Sequence, residues 1–113
     1  MLQTINFENL TIYNLTIGLN DKKALYQIIP SFIARYIITK YVLKICGGGT
    51  ISPVCKGVYT MQESGKVIKE NSIKVETMYI TEKQVLKLIE VLKIKLNQET
   101  ILVTTENKLS AYK

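Results

Sequence analysis

The tetrad Thr81-Glu82-Lys83-Gln84 constrains this chain more than any other feature. Threonine followed three residues later by glutamine is a capping box, in which the hydroxyl accepts the Gln84 amide and the Gln84 side chain reaches back to the Thr81 amide. Ile80 and Val85 stand where a hydrophobic staple needs them. Val85, Leu88, Ile89, Leu92 and Leu96 then recur at steps of three and four, with Lys83, Lys87, Glu90, Lys93 and Asn97 on the outer face. A helix is therefore pinned from its first turn. The runs on both sides of it have period two, so the domain has to place helix against sheet.

Residues Leu10 to Leu19 alternate, with Tyr13, Leu15, Ile17 and Leu19 on one face and Asn14, Thr16 and Gly18 on the other, as in a half-buried strand. Asn20 and Asp21 can start a helix. Leu25, Ile28, Ile29, Phe32, Ile33, Tyr36 and Ile37 form its apolar stripe, which predicts a helix kinked at Pro30. Gly47, Gly48 and Gly49 end that segment. Thr50 to Met61 and Val67 to Ile80 read as one long hairpin turned at Glu63-Ser64-Gly65-Lys66, with an edge or bulge at Pro53. Ile51, Tyr59, Ile73, Val75 and Tyr79 are expected on one face; Val54, Val58 and Met78 are expected on the other. Thr100 to Thr104 is a strand. Glu106-Asn107-Lys108 is expected to turn it into a short extra strand, Leu109 to Tyr112.

This order, β-α-β-β-α-β, predicts an α+β ferredoxin-like sandwich: a four-stranded antiparallel sheet with both helices on one face, in a single domain over residues 1–113. A chain of 113 residues that is 47% hydrophobic and 21% charged can bury such a core.

The same composition closes off chemistry. There is no His and no Trp, and Asp21 is the single aspartate. His-based triads and His-ligated zinc fall away, so no catalytic residue, metal ligand or cofactor is assigned and the chain is expected not to be an enzyme. Cys46 and Cys55 have no further soft ligand near them and are expected as free thiols. The net charge is +6, yet Arg35 alone among the 15 basic residues is an arginine. Base reading leans on bidentate arginine, so sequence-specific DNA binding is not expected. The segment Met1 to Glu8 has neither a basic start nor a long apolar run, and the apolar stretch Ala24 to Ala34 is too short to span a bilayer. A cytoplasmic protein without a membrane partner is expected. The bias toward Ile, Lys, Asn and Tyr points to an A/T-rich genome, bacterial or phage.

Candidate sites follow from charge and aromatic placement. Lys56, Lys66, Lys69 and Lys74 lie along the hairpin, where they could grip an anion. Tyr41 and Tyr59 flank the glycine-rich segment and could stack a base, while the other tyrosines are expected mostly in the core. Glu70 and Glu76 share a strand face, but lysines flank them and a solvated face accounts for both. The glycines at 47–49 lead into a strand, whereas a phosphate loop leads into a helix.

Gly49-Thr50-Ile51, Gly57-Val58-Tyr59 and the run Ser64 to Val75 resemble the central hairpin of the domain of unknown function 3574 family. Asn97-Gln98-Glu99-Thr100-Ile101-Leu102 resembles its next block, and Tyr13 to Gly18 its first strand. Lys44-Ile45-Cys46-Gly47 departs from that pattern, which tends to place Arg, Phe and Pro there. The resemblance spans residues 10–113 and implies the fold; that family carries no established activity. The topology is also similar to that of PII-type signalling proteins.

These readings converge on a small non-enzymatic protein binding an anionic small molecule such as a nucleotide at an intersubunit cleft of a dimer or trimer. The alternative is a protein-interaction module directed at an acidic protein, such as a phage-encoded inhibitor of a host defence enzyme. Apolar residues on both faces of the hairpin motivate the oligomer.

Overall fold

The computed structural model describes residues 4–113; Met1, Leu2 and Gln3, the start of the segment read above for a leader, lie outside the described residues. The elements are β1 (Glu8–Gly18), α1 (Ser31–Tyr41), β2 (Thr50–Ile51), β3 (Cys55–Thr60), β4 (Val67–Thr77), α2 (Glu82–Lys95) and β5 (Leu102–Ser110). They form an antiparallel sheet of five strands in the order β2-β4-β1-β5, with β3 also pairing β4. The fold is the expected ferredoxin-like α+β arrangement, with five strands where four were expected.

Leu15 and Ile17 of β1 and Ile73 and Val75 of β4 form one core with Ala34, Ile38, Val42, Val85, Leu88, Leu92 and Leu96. Burying a side chain of the larger kind contributes roughly 1.5–3 kcal/mol. The opposite face of the sheet, carrying Asn14, Thr16, Gly18, Glu70, Ser72, Lys74 and Glu76, is left without helices. Thr81 caps α2 as read, with Thr81 Oγ1 accepting from Gln84 N at 3.2 Å and Thr81 N donating to Gln84 Oε1 at 2.8 Å.

Three expectations fail for identifiable reasons. Pro30 starts α1 instead of kinking it, because its missing N–H costs nothing in a first turn. The Asp21 carboxylate accepts from Lys23 N and Ala24 N in a local turn and caps no helix. The α1 stripe rotates as a result: Ala34 and Ile38 are buried, while Phe32 and Tyr36 are exposed. After Tyr41 the helix widens into a π-helical turn, Val42–Cys46, closed by Gly47 at φ 76°.

The second failure lies in the hairpin. Ile51 pairs Val75, but Cys55 pairs Ser72, so the ladder slips by one residue across Ser52-Pro53-Val54. A one-residue slip exchanges the faces of a whole strand. Tyr59 therefore lies on the open face and Val58 on the helix side, the reverse of the expectation. Ser52 holds the slip: its hydroxyl accepts Lys74 N at 2.9 Å, and Arg35 donates to the carbonyls of Ile51 and Ser52.

Third, β5 runs straight through Glu106-Asn107-Lys108, and the separate strand Leu109 to Tyr112 does not form. Asn14 Nδ2 donates to Glu106 Oε1 at 2.8 Å, and Thr11 Oγ1 to Asn107 Oδ1 at 3.1 Å. These cross-strand bonds keep the would-be turn extended. β1 pairs β4 only from Tyr13 onward, so β1–β5 and β3–β4 project as arms in opposite directions and the chain measures 63 × 30 × 23 Å. No helix of the described residues is long and apolar enough to cross a membrane.

Candidate functional site

Beside the β3–β4 arm the open face holds a cleft of about 470 Å³, lined by Gly18, Asp21, Lys22, Leu25, Tyr59, Met61, Glu70, Glu99 and Leu102 among others. That volume suits a small-molecule ligand. Three carboxylates face one lysine across it, so its local sign is opposite to that of the whole chain.

Glu70 is the one of the three that lies on a strand of the open face. Its Oε2 accepts the Asn20 amide at 3.0 Å. Glycines stand on both neighbouring strands: Gly57 directly opposite in β3, and Gly18 in β1 against the carboxylate itself. With no Cβ at Gly18, the carboxylate occupies the space that a side chain there would take. Asn20 is fixed in turn by Gln98, which is buried and whose Nε2 donates to the Asn20 carbonyl at 2.7 Å.

Asp21 sits at the rim. Asn97 Nδ2 donates to its Oδ1 at 2.5 Å, and Asn97 is the left-handed residue, at φ 49°, that follows the end of α2. That hydrogen bond, followed by the one from Ala24 N, holds the Asp21 carboxyl below its ordinary value. The result is a rim that keeps its negative charge into the acid range.

The residues read from sequence as ligand-binding are dispersed. Tyr59 lines the acidic cleft. Lys56 and Lys69 line a second cavity on the helix side of the same hairpin. Lys74 lies with Glu76 on the open face, farther along β4. Lys66 sits at the hairpin end, its amide bonded to Ser64 Oγ. Tyr41 packs against the core, with the Lys40 and Lys95 ammonium groups 5.7 and 5.9 Å from its ring centre. Tyr41 and Tyr59 do not flank a common site: Tyr59 pairs Ile68 while the glycine-rich segment ends beside Glu76, about 26 Å away along β4. The tyrosines are not mostly core either. Tyr26, Tyr36, Tyr59, Tyr79 and Tyr112 are exposed.

Glu70 was assigned above to a solvated face, and that reading missed its setting. The signal was present in Gly18 and Gly57, single glycines inside strand patterns, which mark a close approach of another group.

No protein-family model and no curated protein sequence matches the chain. Solved structures do match in fold. A phage SAM lyase in complex with S-methyl-5'-thioadenosine is 16% identical, with a TM-score of 0.59, over 99% of this chain and 96% of its own. CutA from Synechococcus elongatus PCC7942 is 11% identical, with a TM-score of 0.62, over 96% and 86%. A PII-like signaling protein from Thermus thermophilus is 13% identical, with a TM-score of 0.53, over 95% and 94%. The expectation that the chain is not an enzyme is overturned by the first of these. The same fold, end to end, carries a lyase, so the fold itself does not exclude catalysis.

Proposed function

We propose that this chain is a small-molecule lyase that takes a sulfonium nucleoside of the S-adenosylmethionine type in the acidic cleft. The observation that carries this reading is the Glu70 carboxylate, held by the Asn20 amide and seated on Gly18 inside a cleft of ligand size. A cationic ligand is attracted by the three carboxylates that line one cleft. The Tyr59 ring in the same cleft supplies a surface for a purine. The fold shared with a SAM lyase bound to S-methyl-5'-thioadenosine supports the choice of ligand.

In such a reaction the ligand's own carboxylate attacks the γ-carbon of its amino-acid chain: a carbon–oxygen bond closes a lactone as the carbon–sulfur bond breaks, and the electron pair of the broken bond stays on sulfur. The sulfonium cation becomes a neutral thioether, and the departing four-carbon fragment keeps its ammonium charge. Glu70 is the group assigned to that ammonium.

A second copy of the chain completes the site in this reading. The cleft is walled by the β3–β4 arm on one side, and β5, exposed from Leu102 to Leu109, offers an unpaired edge. The anion expected at an intersubunit cleft between Lys56, Lys66, Lys69 and Lys74 is not the ligand of this cleft, because none of those lysines lines it.

The test is incubation of the purified protein with S-adenosylmethionine, with chromatography of the products. Release of S-methyl-5'-thioadenosine that is lost in Glu70→Gln supports the reading. Binding without release reduces it to a binding protein, and neither binding nor release rejects it.

A further inference from the structure

The sheet separates charge across the β3–β4 arm. On the helix side lies a second cavity of about 600 Å³, whose lining includes Lys56, Lys69, Tyr26, Val58 and Asn71. Lys56 pairs Asn71 and Val58 pairs Lys69, so the two lysines are diagonal neighbours on one face. Diagonal positions lie roughly 7–8 Å apart, within reach of long side chains. Two like charges so placed repel each other.

Nothing in the described residues answers them. Neither lysine makes an ion pair among the described residues, unlike Lys108, which pairs with Glu106. Glu70, the one acidic residue in the cavity lining, points its carboxylate toward Gly18, and its Oε2 already accepts the Asn20 amide. The cavity floor is a closed amide relay: Asn71 Nδ2 donates to Gln27 Oε1 at 2.8 Å, and Gln27 Nε2 donates to the Ile29 carbonyl and Ser31 Oγ at 2.8 and 2.9 Å. These partners fix the floor's shape. Tyr26 and Val58, both exposed, form an apolar wall beside the lysines.

From this arrangement we infer that the helix-side cavity binds a phosphomonoester with a planar body, its phosphate between Lys56 and Lys69 and its ring against Tyr26. Two ammonium groups suit a dianion, and an exposed tyrosine suits a ring with little hydrogen-bonding demand. This site is separate from the acidic cleft, with which it shares the wall formed by Asn20, Leu25, Gly57 and Glu70.

Calorimetric titration with AMP, adenosine and inorganic phosphate tests it. AMP should bind, adenosine at least tenfold more weakly, and phosphate should compete with AMP. Lys56→Gln and Lys69→Gln, both surface changes whose folding a melting curve checks, should each weaken AMP at least fivefold, and added salt should weaken it further. Tyr59→Ala, a change confined to the acidic cleft, should leave AMP binding intact. Equal affinity for AMP and adenosine, unchanged affinity in both lysine variants, loss of AMP binding in Tyr59→Ala, or no AMP binding at millimolar concentration would each overturn the inference. None of these readouts depends on lyase turnover, so the two proposals fail separately.

Discussion

Gly18 is the seat of the Glu70 carboxylate: a methyl group at Gly18 would stand 2.6 Å from Glu70 Cδ and Oε1 and 2.7 Å from Oε2. Real methyl contacts are essentially never that short, so the pair is mutually exclusive with any larger residue at position 18 unless Glu70 moves. The backbone conformation of Gly18 is ordinary strand. Its identity therefore answers to space for the carboxylate, not to a turn.

Gly18→Ala should accordingly separate site from fold. The clash is with the flexible end of a side chain, and alanine in a strand recovers about 0.5–1 kcal/mol relative to glycine. Global stability should stay within about 1 kcal/mol of the parent. The displaced carboxylate loses the Asn20 amide, and affinity for S-adenosylmethionine should fall about tenfold, the scale of a lost charge-assisted hydrogen bond. Unchanged affinity with unchanged melting would mean that Glu70 has no part in binding.

The Thr81 cap is the second test. Thr81→Ala removes the acceptor for Gln84 N and half of the box, and should cost about 1 kcal/mol in urea unfolding. Gln84 also donates to the Ile45 carbonyl at 3.1 Å, tying α2 to the end of the π-helical turn. Gln84→Ala should therefore cost more than Thr81→Ala. Equal losses would show that the Ile45 contact contributes nothing.

What could be read in advance follows the reach of each signal. Thr81 and Gln84 interact three residues apart, and Ile73 and Val75 alternate within one uninterrupted strand, so α2 and the core face of β4 were legible. The face of Tyr59 was not, because parity was counted straight through Pro53, and the one-residue slip there depends on Ser52 capturing Lys74 N from another strand. The start of α1 was misplaced because Asp21 and Pro30 are both good helix openers, and the bonds that decide between them join Asp21 to Asn97 and Gln27 to Asn71. Glu70 was visible only to a reading that crossed three strands at once, from Gly18 to Gly57.

Asp21 should make stability depend on acid pH. Its folded carboxyl lies below the ordinary value, mainly through Asn97, so the unfolded chain binds the proton more readily. Its contribution is complete above the ordinary carboxylate range, near pH 4, and is lost as pH falls through the lower folded value. Asp21→Asn should be less stable than the parent at pH 7, with the gap closing below about pH 4. A gap that persists at pH 2 would assign the effect to packing of the 20–27 loop.

Both thiols should be free, as Cys46 and Cys55 are in the structure. Partial burial raises the Cys46 thiol above its ordinary value, which lowers its thiolate fraction at neutral pH. Iodoacetamide should label both cysteines in denaturant without reductant. In the native protein Cys46 should react more slowly than it does in the unfolded chain. A native rate equal to the denatured rate would mean that the π-helical turn opens freely.

Self-association is the last expectation, and the shape of the chain argues for it. A compact chain of this length has a radius of gyration of about 13 Å, whereas this one measures 16.7 Å. The excess comes from the two arms, and each ends in apolar surface that its own core does not cover: Val58, Tyr59 and Val67 on one, Leu109 on the other. Phe32 and Tyr36 add an exposed apolar strip on α1. The free β5 edge and the β3 edge lie at opposite ends of the sheet, so their pairing would be head to tail and would close only as a ring. Pairing of those edges satisfies backbone groups that a lone sheet leaves to water and removes an edge prone to aggregation. Light scattering during size exclusion at micromolar concentration should give two or three times the 12.9 kDa of one chain. Val103→Lys, a charge on the free strand, should lower that multiple. A mass of one chain for the parent would leave the arms unpartnered, and the part of the proposed site supplied by a second copy would fall with it.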